Sequence, residues 1–337
     1  AWVAETMTSH PFLLDGLLNA ATLFAPPQVE QLKDELRQQM LRIPEDDLER
    51  QMETLRQFKL AHVLRVAASD IAGALPIMKV SDYLTWLAET LLQTVFEVAW
   101  RQLVEKHGIP QKEQGVPCNP DFIIVGYGKV GGIELSYSSD LDLVFVHDAD
   151  PDLYTDGERS IDNSTFFARL GQRIIHLLTT RTPTGHLYET DMRLRPSGNS
   201  GLLVTSLKAL DKYQREAAWT WEHQALVRAR VVAGCPRLRE KFEQLRHSIL
   251  SIHRDPQKLA DEVIDMRKKM AEHLSKTHQT ELDESLLTAE HSFEFKQDPG
   301  GIVDIEFMAQ FMVLRHAEQH AEMTRWTDNV RIFETAE

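Results

Sequence analysis

The spacing of hydrophobic residues predicts helices at both ends of the chain and a different structure between them. In residues 44–71 apolar side chains recur every three or four positions, and three acids follow Pro44, which is typical of a helix start. A second stripe runs through residues 81–107 and stops at Gly108, a common helix terminator. These patterns predict an N-terminal helical region over residues 1–115.

The pattern changes after the loop GIPQKEQGVPCNP, residues 108–120, which is rich in Pro, Gly and polar side chains. Residues 122–125 and 141–146 are short apolar runs bounded by turn residues, which predicts two buried strands. Helical periodicity returns over residues 162–178, where Asp-Asn offers a cap. From Leu207 onward the pattern is again helical.

A third strand is predicted in HLYETDMRLRPSG, residues 186–198, where apolar and polar side chains alternate. We therefore expect a catalytic core over residues 116–206, followed by a C-terminal helical region over residues 207–337. That region is expected to be truncated, because the last residues look like the start of another helix. The polar face of the third strand would present Glu189, Asp191, Arg193 and Arg195.

Composition narrows the function classes. The 337 residues are 42% hydrophobic, without an apolar run near the roughly 18 residues that cross a bilayer and without a signal-peptide pattern. We therefore expect a cytoplasmic protein that does not contact membranes. Two cysteines, Cys118 and Cys235, do not support a disulfide framework or a zinc site. The net charge of -14 argues against nucleic-acid binding.

Two carboxylates lie at the start of the second apolar run, one just before it and one inside it. At the period of a strand, Asp140 and Asp142 project from one face, with Cα atoms roughly 6–7 Å apart, a spacing that can hold a divalent cation such as Mg²⁺. The alternative is that both lie on the solvent face of an edge strand. Asp191 on the third strand favours a site, since Arg193 and Arg195 beside it could bind phosphate; a surface strand with salt bridges is the alternative there.

Glycines between the two runs add a further phosphate-binding feature. They leave room for a phosphate to approach backbone N–H groups, and Lys129 adds positive charge. The spacing matches neither the Walker A loop nor GxGxxG, so the glycines alone are weak evidence. The glycines concerned are Gly126, Gly128, Gly131 and Gly132.

Three segments carry a family resemblance: GYGKVGGIELSYSSDLDLVFVHD, ETDMRLRPSGNSG and FKQDPGGIVDIEFMAQF. In this order they resemble the bacterial glutamine synthetase adenylyltransferase/adenylyl-removing enzymes, members of the polymerase β-like nucleotidyltransferase superfamily. The resemblance implies an α+β fold in which helices flank a mixed sheet, with helical regions on both sides in sequence. Such enzymes have two copies of the domain, one adding AMP to a tyrosine and one removing it by phosphorolysis. SYSSDLDLVF looks more like the adenylylating copy.

The resemblance also implies roles for individual residues. Asp140 and Asp142 would hold one or two Mg²⁺ ions on the phosphates of ATP, and Asp191 would complete a second metal position or act as general base. Lys129, Arg193 and Arg195 would stabilise the leaving pyrophosphate. Tyr127 departs from the superfamily, in which a serine usually contacts the triphosphate at this place. That leaves Ser138, Ser139 or a backbone N–H group for the contact.

Four further residues form a second tier. Asp304 and Glu306 follow a Gly-Gly pair at a predicted helix start, where acids also favour the helix dipole without any ligand. Glu222 and Arg228 belong to a predicted helix that could face the site.

Partners follow from the resemblance alone. It implies glutamine synthetase as the protein substrate and a PII signal protein and glutamine as regulators. Phosphorolytic removal of AMP by the same site is the nearest alternative to AMP transfer. A catalytically silent module that binds a signal protein or glutamine is an alternative of another class.

Overall fold

The computed structural model describes residues 7–13, 27–281 and 294–337. The chain divides into two compact units. The first takes in residues up to Leu210 together with Arg230–Glu240. The second consists of Asp211–Ala229 and Lys241–Glu337. The loop at residues 108–120, where the sequence predicts a domain boundary, lies inside the first unit.

The helices of the first unit are named here in chain order, and those of the second unit follow the same numbering. Within the described ranges, three short 3-10 turns lie at Pro11–Leu13, Gly198–Ser200 and Ala321–Thr324. The helices are α1 Val29–Met40, α2 Leu48–Ile71, α3 Ile77–His107, α4 Gly128–Gly131, α5 Asn163–Thr179, α6 Leu207–Glu216, α7 Thr220–Val227, α8 Pro236–Leu250, α9 Pro256–Glu281, α10 Ile302–His316 and α11 Asn329–Ala336.

Seven strands are assigned in the described residues. The first two form a small hairpin, and the other five form one mixed sheet. The strands are β1 Gln111–Glu113, β2 Val116–Pro117, β3 Phe122–Gly126, β4 Leu141–His147, β5 Thr190–Asp191, β6 Val204–Ser206 and β7 Arg230–Gly234.

The sheet order is β5-β4-β3-β7, with β6 also paired to β4. β3 pairs antiparallel with both β4 and β7, so its two edges are satisfied inside the sheet. β4 pairs in parallel with β5 near its start and with β6 near its end. All five residues of β3 are buried, which explains why this strand is continuously apolar in sequence. The mixed sheet with helices confirms the predicted α+β class.

Caps and breakers set the helix ends where the sequence placed them. Asp47 caps α2 by accepting a hydrogen bond from the backbone N–H of Arg50 at 3.0 Å. Asp162 caps α5 in the same way through the N–H of Thr165, at 2.8 Å. Gly108 follows α3 with φ +82°, a conformation that favours glycine.

Aromatic side chains join helices and sheet in the first unit. The Phe122 ring on β3 stacks on the Phe96 ring of α3, with centroids 5.4 Å apart, and on the Phe167 ring of α5 at 6.1 Å. Phe145 on β4 lies 5.8 Å from the Phe122 ring. The sheet is therefore fixed from one face by α3 and α5. None of the helices in the described ranges combines the length and apolar character needed to cross a membrane.

Two sequence predictions are wrong about strands. The segment from Leu207 onward is not helical throughout, because β7 interrupts it and pairs with β3. The strand predicted over residues 186–198 shrinks to the two residues of β5, and the chain turns after Met192. Of the predicted apolar face of this strand, Tyr188 and Met192 are buried.

Candidate active site

The two acidic segments meet where β5 pairs with β4. Asp142 and Asp191 are direct partners in this parallel pair, so their Cα atoms lie about 4.8 Å apart. The backbone N–H of Leu141 also donates to the carbonyl of Glu189, at 3.0 Å, which extends the pairing toward Asp140. Asp140 is exposed, and the other two carboxylates are half-buried. Asp142 and Asp191 on paired strands, with Asp140 directly before β4, therefore lie at one end of the sheet.

A glycine turn packs directly on the central carboxylate. Gly128 has φ +52°, and a Cβ atom added to it would lie 2.4 Å from Oδ2 of Asp142. The neighbouring Tyr127 donates its backbone N–H to the carbonyl of Asp142, at 2.9 Å. The left-handed backbone favours glycine, and any Cβ atom at this position would push against the Asp142 carboxylate. The turn therefore fixes the position of Asp142.

The other glycines of this turn have internal roles. A Cβ atom on Gly126 would come within 2.8 Å of Val232 and 2.9 Å of Val130, so close packing requires glycine there. The N–H groups of Gly131 and Gly132 donate to the carbonyls of Tyr127 and Gly128 around the short helix α4, with N···O distances of 3.0 Å. These two donors are engaged in the turn, which differs from the expectation that they face a phosphate. Lys129 in the same turn is exposed.

Asp191 is held by an arginine two residues along the chain. Arg193 donates its backbone N–H to Oδ1 of Asp191 at 2.8 Å and its Nε to Oδ2 at 2.7 Å. This hydrogen bonding holds the pKa of Asp191 below its ordinary value. Asp191 raises the pKa of Arg193 in return, and the charges of Asp142 and Asp140 add to that rise. Arg193 is thus within electrostatic reach of all three acids.

Comparison with known proteins shows which family the chain resembles. Residues 1–245 match the family described as glutamate-ammonia ligase adenylyltransferase. The chain belongs to this adenylyltransferase family. A Pseudomonas aeruginosa protein named bifunctional glutamine synthetase adenylyltransferase/adenylyl-removing enzyme is 58% identical over 336 residues, which cover 99% of this chain and 34% of that protein.

Two further relatives of the adenylyltransferase family have the same name. The Hahella chejuensis protein is 58% identical over 334 residues, covering 99% of this chain and 34% of the relative. The Pseudomonas putida protein is 57% identical over 337 residues, covering 100% of this chain and 34% of the relative. The chain therefore spans about a third of the length of these curated relatives.

The three acids of this family member fit Mg²⁺ by their chemistry. Mg²⁺ prefers carboxylate oxygens and keeps several waters, and the β4–β5 pairing brings two carboxylates to adjacent positions. In the described residues, however, no three His, Cys, Asp or Glu side chains are already grouped to hold a metal ion. Asp191 is turned to Arg193 instead. Both carboxylate oxygens of Asp191 therefore already have a partner in Arg193.

Arg195 does not share a strand face with Asp191, contrary to the prediction. The chain has turned before it, and its guanidinium donates to backbone carbonyls on both sides of it in sequence. These acceptors are the carbonyls of Met192 at 2.8 Å and Asn199 at 3.2 Å. Arg195 therefore shapes the turn of the adenylyltransferase motif, while Arg193 is the exposed guanidinium beside the acids.

The two serines before Asp140 differ in their surroundings. Ser139 closes a turn, because its Oγ accepts the backbone N–H of Ser136 at 3.0 Å and lies 2.8 Å from the Ser136 hydroxyl. Ser138 is exposed at the same turn. The triphosphate contact stays a prediction for Ser138, Ser139 or a backbone N–H group.

The second-tier residues make contacts within the second unit. Glu222 accepts hydrogen bonds from the Tyr213 hydroxyl at 2.8 Å and from the backbone N–H of Trp219 at 2.9 Å, which caps α7. Asp304, in the first turn of α10, accepts a hydrogen bond from the backbone N–H of Gly300 at 2.6 Å, and this contact lowers its pKa.

Arg228 and Glu306 form an ion pair in the same unit. Their side chains are 3.4 Å apart, and Arg228 is almost fully buried. Asp304 has its own basic partner, Arg267, whose Nε lies 2.5 Å away. These contacts give all four second-tier residues structural roles, whatever else they do.

Arg230 at the start of β7 is a site residue that the sequence prediction missed. Its guanidinium donates to the carbonyls of Val130 at 3.0 Å and Gly131 at 3.3 Å, which ties down the glycine turn. Glu89 on α3 lies 2.5 Å from the same guanidinium. The only local signal for β7 is the short run Val231–Val232 before Gly234.

Proposed function

We propose that this chain transfers AMP from ATP to a tyrosine hydroxyl of glutamine synthetase and releases pyrophosphate. The observation that supports this most directly is the pairing of Asp142 with Asp191 beside Asp140. Family membership and the names of the relatives support the substrate. Because the chain spans about a third of those relatives, the activity of the whole relatives is carried over here as a proposal.

The three carboxylates would hold Mg²⁺, with Asp140 and Asp142 on the triphosphate side and Asp191 toward the acceptor. When bound, Mg²⁺ would neutralise phosphate charge and make the α-phosphorus easier to attack. While Asp191 is paired with Arg193, its lowered pKa disfavours a role as general base, since an effective base has a pKa near the working pH. We therefore assign Asp191 as a metal ligand.

The chain's basic residues would then act on the leaving group. The tyrosine oxygen forms a bond to the α-phosphorus, the bond to the β-phosphate oxygen breaks, and the phenolic proton passes to water. Arg193 and Lys129 are exposed cations next to the acids, and they would stabilise charge on the departing pyrophosphate. Arg193 would leave Asp191 for the phosphate as the ion enters.

An AMP-transfer assay tests the proposal. The chain is incubated with unmodified glutamine synthetase, Mg²⁺ and ATP labelled at the α-phosphate, and label on the synthetase is the expected result. The matched control is Glu189→Gln, which changes an exposed acid beside β5 and should leave transfer unchanged. Absence of label with a folded chain and active synthetase would contradict the proposal.

The same assay decides between the two activities in the relatives' names. Adenylylated synthetase and phosphate are supplied instead, and release of ADP would indicate removal of AMP by the same carboxylates. Activity in neither direction would support a silent module, whose proposed ligands are the PII signal protein and glutamine. Binding of either regulator can be measured on the same chain.

A further inference from the structure

A buried arginine ties helix α2 to the end of helix α5. Arg56 is 2% exposed, and its guanidinium donates to the carbonyls of Leu177 at 3.0 Å and Gly185 at 2.9 Å. It also donates to the carbonyl of Thr180. The carbonyl groups at a helix C-terminus have negative partial charge, so a cation here is favourable. α2 therefore anchors the start of the segment that leads to β5.

The next turn of α2 holds that segment nearer the site. Lys59 donates from Nζ to the carbonyl of Leu187, at 2.5 Å, and its Nζ lies 3.8 Å from the centre of the Tyr188 ring. Both Leu187 and Tyr188 are buried. Tyr188 is three residues before Asp191, about 10 Å of extended chain. Lys59 on α2 thus holds the segment that leads into β5.

The far end of α2 contacts the segment that leads to Asp140. The Tyr137 hydroxyl donates to Oδ2 of Asp70, at 2.9 Å. Tyr137 is three residues before Asp140, as Tyr188 is three residues before Asp191. The two contact points, Lys59 and Asp70, are separated by about 16 Å along the helix. One rigid helix therefore contacts a tyrosine at the same offset from each acidic segment.

We propose that α2 is a brace that sets the distance between the two acidic arms, with Lys59 and Asp70 as positioning residues for the metal-binding carboxylates. This inference rests on the proposed function. β5 has only two residues, so its own ladder is too short to fix Asp191. The contacts with α2 supply the missing restraint. The N-terminal helices would then determine the geometry of the site without touching the nucleotide.

The test measures metal binding without catalysis. Binding of Mn²⁺, a paramagnetic substitute for Mg²⁺, is followed by electron paramagnetic resonance on the whole chain. We expect Lys59→Met and Tyr137→Phe each to weaken binding about 10-fold, as loss of groups that orient metal ligands does. Lys59→Arg should restore most of it, because it keeps a cation and a donor. Lys106→Met, on the exposed side of α3, is the matched control.

The outcomes separate the brace from the proposed function. Unchanged Mn²⁺ binding in folded Lys59→Met and Tyr137→Phe overturns the brace. If Lys59→Met does not fold, Tyr137→Phe decides, because it removes one hydroxyl from a side chain that is 40% exposed. A native chain that binds Mn²⁺ but transfers no AMP contradicts the proposed function and leaves the brace to the binding data. A native chain that binds no Mn²⁺ overturns both.

Discussion

The two arms of the candidate site are held in place by different means. β4 has seven residues, and its edges pair with β3 on one side and with β5 and β6 on the other. β5 has two residues, both paired to β4 alone. Asp142 is therefore positioned by the sheet and by the glycine turn packed on it. Asp191 depends on side chains far away in sequence and on Arg193.

This difference suggests how each arm should respond to mutation. Changes near Asp142 act on a site fixed by backbone and close packing, so small displacements should be costly. Changes around Asp191 act through side-chain contacts that a cation or a conservative substitution can replace.

The largest effect is expected from removing charge at the rigid arm. Asp142→Asn should lower AMP transfer by about 10³-fold or more, because roughly 4 kcal/mol of transition-state stabilisation through the metal is lost. Asp140→Asn should behave alike. Stability in urea should change little, since neither side chain is fully buried. Transfer within a few-fold of the native rate in either folded variant would remove these residues from the site.

A substitution in the glycine turn comes next. Gly128→Ala places a Cβ atom against the Asp142 carboxylate and strains a left-handed backbone, so we expect transfer to fall about 100-fold and stability by about 1–2 kcal/mol. Gly115→Ala is a matched control, because Gly115 has φ +77° with nothing near its Cβ position. It should lose stability alone. Equal activity losses in both variants would mean that the contact with Asp142 is unimportant.

His147 at the far end of β4 allows the stability of this strand to be measured without changing the candidate site. His147 is 5% exposed, and burial lowers its pKa to about 4, against an ordinary 6.5. The unfolded chain therefore binds the proton first, and stability that is complete above pH 6.5 is lost as the pH falls toward 4. The difference between pH 7 and pH 5 should be about 2 kcal/mol.

Urea unfolding at the two pH values checks this effect. His147→Phe keeps a ring against Phe167, whose centroid is 4.3 Å away, and should lack this share of the pH dependence. His176→Gln, at an exposed position on α5, should keep the native dependence. A native pH dependence in His147→Phe would show that other groups cause it.

The smallest effect is expected at the adaptable arm. Arg193→Gln frees Asp191 from its ion pair, so the Mg²⁺ concentration for half-maximal transfer should not rise. The maximal rate should fall about 10-fold, because a cation facing the leaving group is lost. Steady-state kinetics at varied Mg²⁺ separate the two quantities, with Arg181→Gln as the exposed control. A higher Mg²⁺ requirement at an unchanged rate would assign Arg193 to positioning alone.

The same contrast explains what sequence could predict. β3, β4, α2, α3 and α5 follow from hydrophobic period, turn residues and caps, all of which are local. The sequence does not predict β7, because its five residues lie between helices and its pairing with β3 is long-range. The predicted third strand was too long, because the hydrogen bonds of Arg195 to loop carbonyls favour a turn that alternation alone does not reveal.

At the site, motif resemblance named the three acids, and the structure brings their segments together. Their roles as metal ligands stay a prediction. Contacts of Lys59 and Arg230 with backbone carbonyls had no signature in sequence, because a carbonyl is present at every position. Only tertiary structure shows which carbonyl is reached.

The parallel pairing of β4 with β5 affects the order in which the chain folds. Residues 142 and 191 are 49 positions apart, so bringing them together costs loop-closure entropy. A two-residue ladder and side-chain contacts must offset this cost. Helices and the β3–β4 hairpin can form earlier from nearby residues. During refolding, far-ultraviolet circular dichroism should therefore recover before the capacity to bind a metal ion.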